Sequence, residues 1–211
     1  MILGVLVGLK EEARIIRRFL PDAPIATSYA TSDGAHKAAQ RLVHAGATHL
    51  LSFGYAGGLS SSVLPGTIII PDRVIVGKVS YKTDPHLNSR INIDKARTGS
   101  ILHSSKIIDK VEEKNGLYRK TGCVAVDMES GALASTGLPF SVLRVICDDV
   151  NQPLPEAAIS GMKNGNIYIK GLVRSLLQDP SQISSLIALG KDVSQAKKSI
   201  IDFLEQNPIS F

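Results

Sequence analysis

Apolar runs of strand length recur along the chain, and helical patterns separate each run from the next. Residues 2–7 are aliphatic apart from one glycine, which is typical of a strand buried on both faces of a sheet. Residues 49–53 and 139–146 repeat this largely apolar pattern. Strands that alternate with helices favour a sheet covered on both faces. The sequence therefore predicts an α/β fold, a three-layer α/β/α sandwich with a mixed, mostly parallel central sheet.

The segments between these runs complete the expected succession of elements. Helices are expected over 13–20, ended by Pro21, and over 35–45 and 104–114. The polar stretch 78–98 is expected to be an irregular loop or flap. Shorter strands are expected at 24–30, 67–70, 73–76 and 124–126, and C-terminal helices at 156–177, 183–189 and 193–204, with a break at 179–180.

Length and composition limit the class of protein. The 211 residues are 44% hydrophobic and 20% charged, which is ordinary for a folded protein and excludes overall disorder. One domain is expected over 1–211, with a helical C-terminal extension over about 178–211. Cys123 and Cys147 are too few for a disulfide scaffold or a cysteine-based zinc site, and they favour a reducing compartment.

Charge and hydropathy indicate the surroundings in which the chain works. The formal net charge is +5, but Lys and Arg are spread along the chain without a basic arm or an RNA-binding motif. We therefore expect no nucleic-acid partner. The apolar start lacks the flanks of a signal peptide, and no run reaches the roughly 18 apolar residues of a membrane helix. A cytoplasmic protein is expected.

Four segments directly follow predicted strands and carry carboxylates or glycines: 9–12, 54–58, 127–129 and 148–149. Ligands of open α/β sheets bind beyond the carboxyl ends of strands, so these segments are candidates for one site. Each alone could be a surface turn, whereas four at one sheet edge favour a ligand site. The glycine-rich 54–58 is expected to be a loop. It matches neither dinucleotide nor P-loop patterns, so a structural turn and a ligand contact both remain open.

Four ordered motifs carry a family resemblance that covers about residues 1–150. The segment VAVDMESGA at 124–132 resembles the V-x-M-E-[AS]-A signature of the purine nucleoside phosphorylase and methylthioadenosine/S-adenosylhomocysteine nucleosidase superfamily. GLKEE at 8–12, SFGYAGGL at 52–59 and RVICD at 144–148 are similar to three further motifs of that superfamily. The short length and the C-terminal stretch resemble its hopanoid-associated phosphorylase branch, for which the implied substrate is adenosylhopane.

The resemblance implies that the chain cleaves the N-ribosidic bond of an adenine-type nucleoside. Asp148 would be the general acid that protonates the leaving base, because a purine leaves poorly as an anion. Glu129 and Met128 would bind the ribose, which becomes cationic in the transition state. Glu12 would position and deprotonate the attacking water. The nucleophile or phosphate pocket would contain Gly8, Tyr55 and Arg144, and the base pocket would contain Ala56, Gly57, Leu102, His103, Cys147 and Asp148.

Several alternatives remain open at this stage. Asp148 could cap a helix, and Glu129 could do no more than stabilise a helix dipole. Glu12 favours water over phosphate because a carboxylate repels an anion. Phosphorolysis of the same bond, with inorganic phosphate as co-substrate, and a non-catalytic nucleoside-binding module are the alternatives. Tyr55 departs from the small serine that is usual in the superfamily.

No cofactor and no metal are expected. The partner that the resemblance implies is a small purine nucleoside, lipid-linked in the hopanoid branch, and a homodimer or higher homo-oligomer is implied as well. Basic and apolar residues share the last helical region, among them Ile183, Ile187 and Lys191. Such a helix could pack on its own domain or on a partner subunit, or it could make peripheral contact with an anionic membrane.

Overall fold

The computed structural model describes residues 1–160, 162–163, 166–167, 179 and 181–209. Within them, nine strands form the central sheet and two short strands pair beside it. The strands are β1 (Leu3–Val7), β2 (Ile25–Thr27), β3 (His49–Gly58), β4 (Ile68–Ile69), β5 (Arg73–Val76), β6 (Val79–Lys82), β7 (Ser100–His103), β8 (Ala125–Asp127), β9 (Phe140–Asp148), β10 (Met162–Lys163) and β11 (Asn166–Ile167). The helices are α1 (Lys10–Arg17), α2 (Ser32–His44), α3 (Pro85–Arg90), α4 (Val111–Thr121), α5 (Ser130–Ala134), α6 (Glu156–Ser160) and α7 (Gln182–Gln206).

The central sheet is mixed and mostly parallel, as the sequence predicts. Its main path runs β2-β1-β3-β8-β7-β5-β6, and β9 pairs with both β3 and β4. The pairs β1–β2, β1–β3, β3–β9, β5–β7 and β7–β8 are parallel. The pairs β3–β8, β4–β9 and β5–β6 are antiparallel.

Alternating side chains of the strands fill two apolar layers, one on each face of the sheet. Leu50 packs with α2 and α5, whereas its neighbour Leu51 packs with α1 and α7. The same alternation separates Val142 from Leu143 on β9. Because successive side chains of a strand point to opposite faces, each run contributes to both layers. The predicted three-layer sandwich is confirmed.

The strand β3 continues through the glycine-rich segment 54–58, so the predicted loop is wrong. Its backbone pairs with β9 as far as Gly57 and Asp148, and with β8 at Gly57 and Gly58. These partner strands are distant in the sequence, so the local glycine content could not predict the pairing. A Cβ on Gly58 would lie 2.9 Å from the carbonyl oxygen of Asp148, so the strands approach closely because side chains are absent.

Two further predictions in the middle of the chain are wrong. The stretch 78–98 holds β6, α3 and a 3-10 turn at Ile93–Lys95, with Asp84 capping α3. The helix expected over 104–114 begins only at Val111 and runs to Thr121. Ile108 precedes the helix and is buried in a non-helical segment, where it clusters with Leu102.

The C-terminal region also differs from the expectation. A single helix, α7, replaces the two segments predicted at 183–189 and 193–204, and it continues through Gly190. Of the helix expected over 156–177, α6 forms the first turn, and β10 and β11 pair antiparallel after it. The rest of that prediction lies outside the described residues, as does one residue of the expected break at 179–180. No helix in the described part of the chain is both long and apolar enough to cross a membrane.

Candidate active site

The candidate site is built around Arg144, a fully buried arginine in the middle of β9. Its Nη2 atom lies 2.7 Å from Asp127 Oδ2, 3.1 Å from Glu129 Oε2 and 2.7 Å from Ser52 Oγ. Burial alone lowers the pKa of Arg144, but the carboxylates of Asp127, Glu129 and Glu12 together raise it. The guanidinium therefore stays charged inside the protein and neutralises part of an acidic cluster.

Glu129 reaches this cluster from the junction of β8 and α5. It is 5% exposed, and its Oε1 atom accepts a hydrogen bond from Ser28 Oγ at 2.8 Å. Burial raises the pKa of Glu129, with Arg144 lowering it and Asp127 raising it. Its two oxygens are thus held by different partners, Ser28 and Arg144.

Glu12 lies in the first turn of α1, directly after β1, and is 3% exposed. Its Oε2 atom accepts hydrogen bonds from the backbone amides of Gly8 and Leu9, both at 2.7 Å. Its Oε1 atom accepts one from the Tyr55 amide, also at 2.7 Å. Burial raises the pKa of Glu12 to about 7, against the lowering effect of Arg144 and of the amides. Glu12 can therefore exchange a proton near neutral pH.

Two glycines let the acidic side chains converge. A Cβ on Gly8 would lie 3.0 Å from Glu129 Oε1 and 3.3 Å from Glu12 Oε2, so the two carboxylates approach the same backbone position. A Cβ on Gly54 would collide with Glu12 and would lie 2.8 Å from Arg144 Nη1. The structure thus brings Gly8, Glu12, Glu129 and Arg144 to one place.

Asp148 forms a second group at the carboxyl end of β9, where it is 5% exposed. Its Oδ2 atom is ion-paired with the ammonium of Lys114, and its Oδ1 atom lies 3.7 Å from the Cys147 thiol. A Cβ on Gly57 would lie 3.1 Å from Oδ1. Burial raises the pKa of Asp148 even though Lys114 lowers it.

Cys147 and Tyr55 lie between the two groups. Burial raises the pKa of the Cys147 thiol well above its usual range, and both Asp148 and Glu12 add to that shift. Burial also raises the pKa of Tyr55, with Glu11 and Glu12 contributing. The Tyr55 hydroxyl is buried and has no hydrogen-bond partner among the described residues.

The other predicted site residues have less distinctive surroundings. Met128 and His103 are half-buried, and His103 packs against the backbone of Gly131. Burial lowers the pKa of His103. Ala56 and Leu102 lie in separate apolar clusters.

Sequence reasoning missed several residues that hold the site together: Lys114, Asp127, Ser28 and Ser52. Asp127 belongs to the quoted motif and could have been found from its place at a strand end. A lysine inside a helical pattern is typical of a solvated face, so nothing local marked Lys114. In the described part of the chain, no cluster of His, Cys, Asp or Glu could hold a metal ion.

Fold and site together define an α/β protein with a buried acidic site at the carboxyl edge of the sheet. Residues 31–177 match the family model described as the phosphorylase superfamily. That match covers more than half of the chain, which therefore belongs to the phosphorylase superfamily. The chain is an enzyme of the nucleosidase and nucleoside phosphorylase class, which acts on N-glycosidic bonds.

Solved structures share the fold at low sequence identity. A 5′-methylthioadenosine/S-adenosylhomocysteine nucleosidase of Helicobacter pylori superposes with a TM-score of 0.67 at 16% identity, covering 97% of each chain. The corresponding nucleosidase of Neisseria meningitidis gives 0.68 at 13% identity, covering 97% of this chain and 98% of the other. The futalosine hydrolase of Helicobacter pylori gives 0.63 at 17% identity, covering 84% and 97%. No curated protein sequence matches the chain significantly.

The contact between Gly54 and Glu12 predicts the effect of adding one methyl group. Gly54→Ala should displace Glu12 from the Tyr55 amide and abolish most activity, because Gly54 has a φ of +144° and its Cβ meets Glu12. Backbone strain alone should cost about 1–3 kcal/mol of unfolding free energy.

Gly77→Ala is the matched control, since Gly77 has a φ of +61° with nothing within 4 Å of its Cβ. It should lower stability without lowering kcat/KM. Thermal melting and steady-state kinetics separate the two effects. Equal activity losses in both variants would contradict the contact with Glu12 as the cause.

Proposed function

We propose that the chain hydrolyses the N-ribosidic bond of a 5′-substituted, adenine-type nucleoside, with water as the nucleophile. The observation that carries this proposal is the buried group of three carboxylates around one guanidinium. Asp127 and Glu129 pair with Arg144, and Glu12 lies close to Arg144 Nη1 beside Gly54. Such a group attracts positive charge and admits a neutral water molecule.

The same charges argue against inorganic phosphate. A phosphate-binding pocket needs cationic donors that are free to meet the anion. The Nη2 atom of Arg144 is already held by Asp127, Glu129 and Ser52, and Nη1 donates to the Tyr55 carbonyl at 3.3 Å. Nε has no partner in the described part of the chain, but it is buried. A phosphate placed there would lie beside carboxylates, which would repel it.

Glu12 has the properties of a general base. In its ionised form it accepts a proton from the attacking water, and the water oxygen bonds to the anomeric carbon. A pKa near 7 suits this exchange, because about half of such a base is ionised at neutral pH and it still binds a proton well. Glu129 offers a carboxylate to the ribose hydroxyls and to the positive charge that develops on the sugar.

Asp148 has the properties of the general acid. It gives its proton to the base nitrogen as the glycosidic bond breaks, so the purine leaves neutral. Glu12 packs against Gly54 of β3 and Asp148 packs against Gly57, so both carboxylates border the same stretch of this strand. The sugar would occupy the space between them.

The finer assignments rest on the family resemblance. We propose adenosylhopane, a lipid-linked nucleoside, as the substrate, and a cytoplasmic, single-domain protein that forms a homo-oligomer. Exposed Ile183 and Ile187 near Lys191 on α7 suit contact with a partner subunit or with an anionic membrane surface. Leu102, His103, Ala56, Gly57 and Cys147 remain the proposed base-binding residues, and Met128 the proposed contact to the sugar face.

Product analysis distinguishes hydrolysis from its alternatives. Incubation with 5′-methylthioadenosine or with adenosylhopane, in phosphate-free buffer, should release adenine and a free reducing sugar. Adding phosphate should leave the rate unchanged. A strict phosphate requirement with ribose 1-phosphate as product would replace hydrolysis by phosphorolysis. Binding of these nucleosides without any adenine release would favour a non-catalytic binding module.

Asp148→Asn should remove the proton donor and leave the shape of the site intact. We expect kcat to fall by about 10²–10⁴-fold, with KM changed by only a few fold. Asp72→Asn, which removes an exposed carboxylate beside Arg73, is the control and should keep wild-type kinetics. Wild-type kcat in Asp148→Asn would eliminate Asp148 as the acid.

The raised pKa of Glu12 predicts an acidic limb in the pH profile of kcat/KM, centred at about 7. A general base must be ionised, so activity should rise through this pH and fall about tenfold per unit below it. Glu11→Gln is the matched control, because the partly exposed side chain of Glu11 pairs with Lys197 of α7. It should keep the limb, whereas Glu12→Gln should lose both the limb and most of the rate. A wild-type profile that is flat from pH 5 to 8 would contradict the role of Glu12.

A further inference from the structure

Lys114 is a buried lysine for which the proposed mechanism has no direct use. It lies on α4, its side chain is 0% exposed, and it is among the largest fully buried side chains in the described part of the chain. Its ammonium contacts Asp148 Oδ2, the carbonyl oxygen of Asp149 at 2.8 Å and that of Gln152 at 3.1 Å. An ammonium has three N–H donors, and these three acceptors use all of them.

Because all three N–H donors of the Lys114 ammonium are used, the ways in which this residue can act are limited. With no donor left, Lys114 cannot hydrogen-bond a substrate while these contacts persist. It holds one oxygen of Asp148 and, through two carbonyls, the turn over 149–152 that follows β9. The other oxygen, Oδ1, lies on the side of Gly57 and the Cys147 thiol. Lys114 therefore fixes which carboxylate oxygen of Asp148 remains available.

Apolar packing does not account for this lysine. The apolar cluster of Leu59, Leu102 and Val126 packs against Leu117 on the same helix, so an apolar side chain would suit the interior. Replacing a buried ion pair by apolar residues of similar volume is often neutral or stabilising. Burying the Lys114 charge is costly, and we therefore expect the lysine to have a functional role at Asp148.

We propose that Lys114 is a positioning residue of the reaction, which anchors Asp148 Oδ2 and the 149–152 turn so that Oδ1 faces the leaving base. The inference rests on the proposed function, because it takes Asp148 as the general acid. Lys114 is not a catalytic residue in this scheme, since it touches neither the substrate nor the reacting atoms.

The charges around Asp148 give the proposal a signature in the pH profile. Three titratable groups act on Asp148 itself: Lys114 from α4, and Asp149 and Cys147 from its own chain segment. Glu12 and Tyr55 lie beyond the Cys147 thiol, and Asp192 of α7 interacts with Asp149. Lys114 is the only cation among them. Removing its charge should raise the pKa of Asp148 further, because ionised Asp148 loses its counter-charge.

The test compares three substitutions at Lys114 with one on the surface of the same helix. Lys114→Met removes the charge and the donors, Lys114→Gln keeps a donor without charge, and Lys114→Arg keeps the charge. Exposed Lys120→Met is the matched control for charge loss. Full pH profiles of kcat and KM are measured with the complete enzyme, and thermal melting verifies folding. If Lys114→Met fails to fold, Lys114→Gln carries the test.

In Lys114→Met and Lys114→Gln, the limb of the pH profile that reports Asp148 should move to higher pH. The limb that reports Glu12 should stay centred near pH 7. Their kcat should fall about 100-fold from misplacement of the acid, with KM within a few fold. Lys114→Arg should keep the limb position, and Lys120→Met should match wild type. The proposal would be overturned if Lys114→Met and Lys114→Gln fold and keep the wild-type limbs of the pH profile, whatever their kcat. The proposed function would survive that result as long as Asp148→Asn remains inactive. Wild-type kcat in Asp148→Asn would instead overturn the proposed function.

Discussion

The ion pairs of Arg144 are the interaction on which the site depends. Its guanidinium has no contact with solvent, and it faces Asp127 and Glu129 directly and Glu12 within Coulombic reach. Each of those carboxylates would be costly to bury alone, because transfer of an unpaired charge into a protein interior is strongly unfavourable. One cation makes the burial of several anions tolerable without neutralising them fully. The residual negative charge is what distinguishes this place from the rest of the interior.

The backbone of β3 is the frame that arranges these charges. Because β3 pairs with β1 at its start and with β9 along its length, residues from both neighbours meet over its last five positions. Glycines at 54, 57 and 58 keep that backbone free of side chains, so Glu12 and Asp148 pack directly against it. The backbone of the glycine-rich segment therefore forms one wall of the site. This backbone is hydrogen-bonded to the neighbouring strands.

How far the sequence predicts the molecule depends on whether the cause is local. Strand runs and the acidic residues at their ends, such as Glu12, Glu129 and Asp148, are local patterns, and the parallel sheet gathers them at one edge. The length of β3 depends on pairing with β9, about 90 residues further along the chain. Lys114 has its acceptors 34 to 38 residues away, and a lysine in a helical pattern predicts only exposure. Long-range contacts of this kind leave no trace in periodicity.

The two charge groups along β3 differ in a way that matches the proposed chemistry. Around Gly8 and Gly54, anions outnumber the single cation of Arg144, so this end favours the positive charge that develops on a ribosyl carbon. Around Gly57, Asp148 has the Lys114 ammonium beside it, so this end is positive when Asp148 carries the proton that it donates, and it favours the electrons that move onto the leaving base. Breaking the bond moves electrons from the sugar toward the base. The field of the buried side chains runs in the direction that assists this movement, and it does so before any substrate is bound.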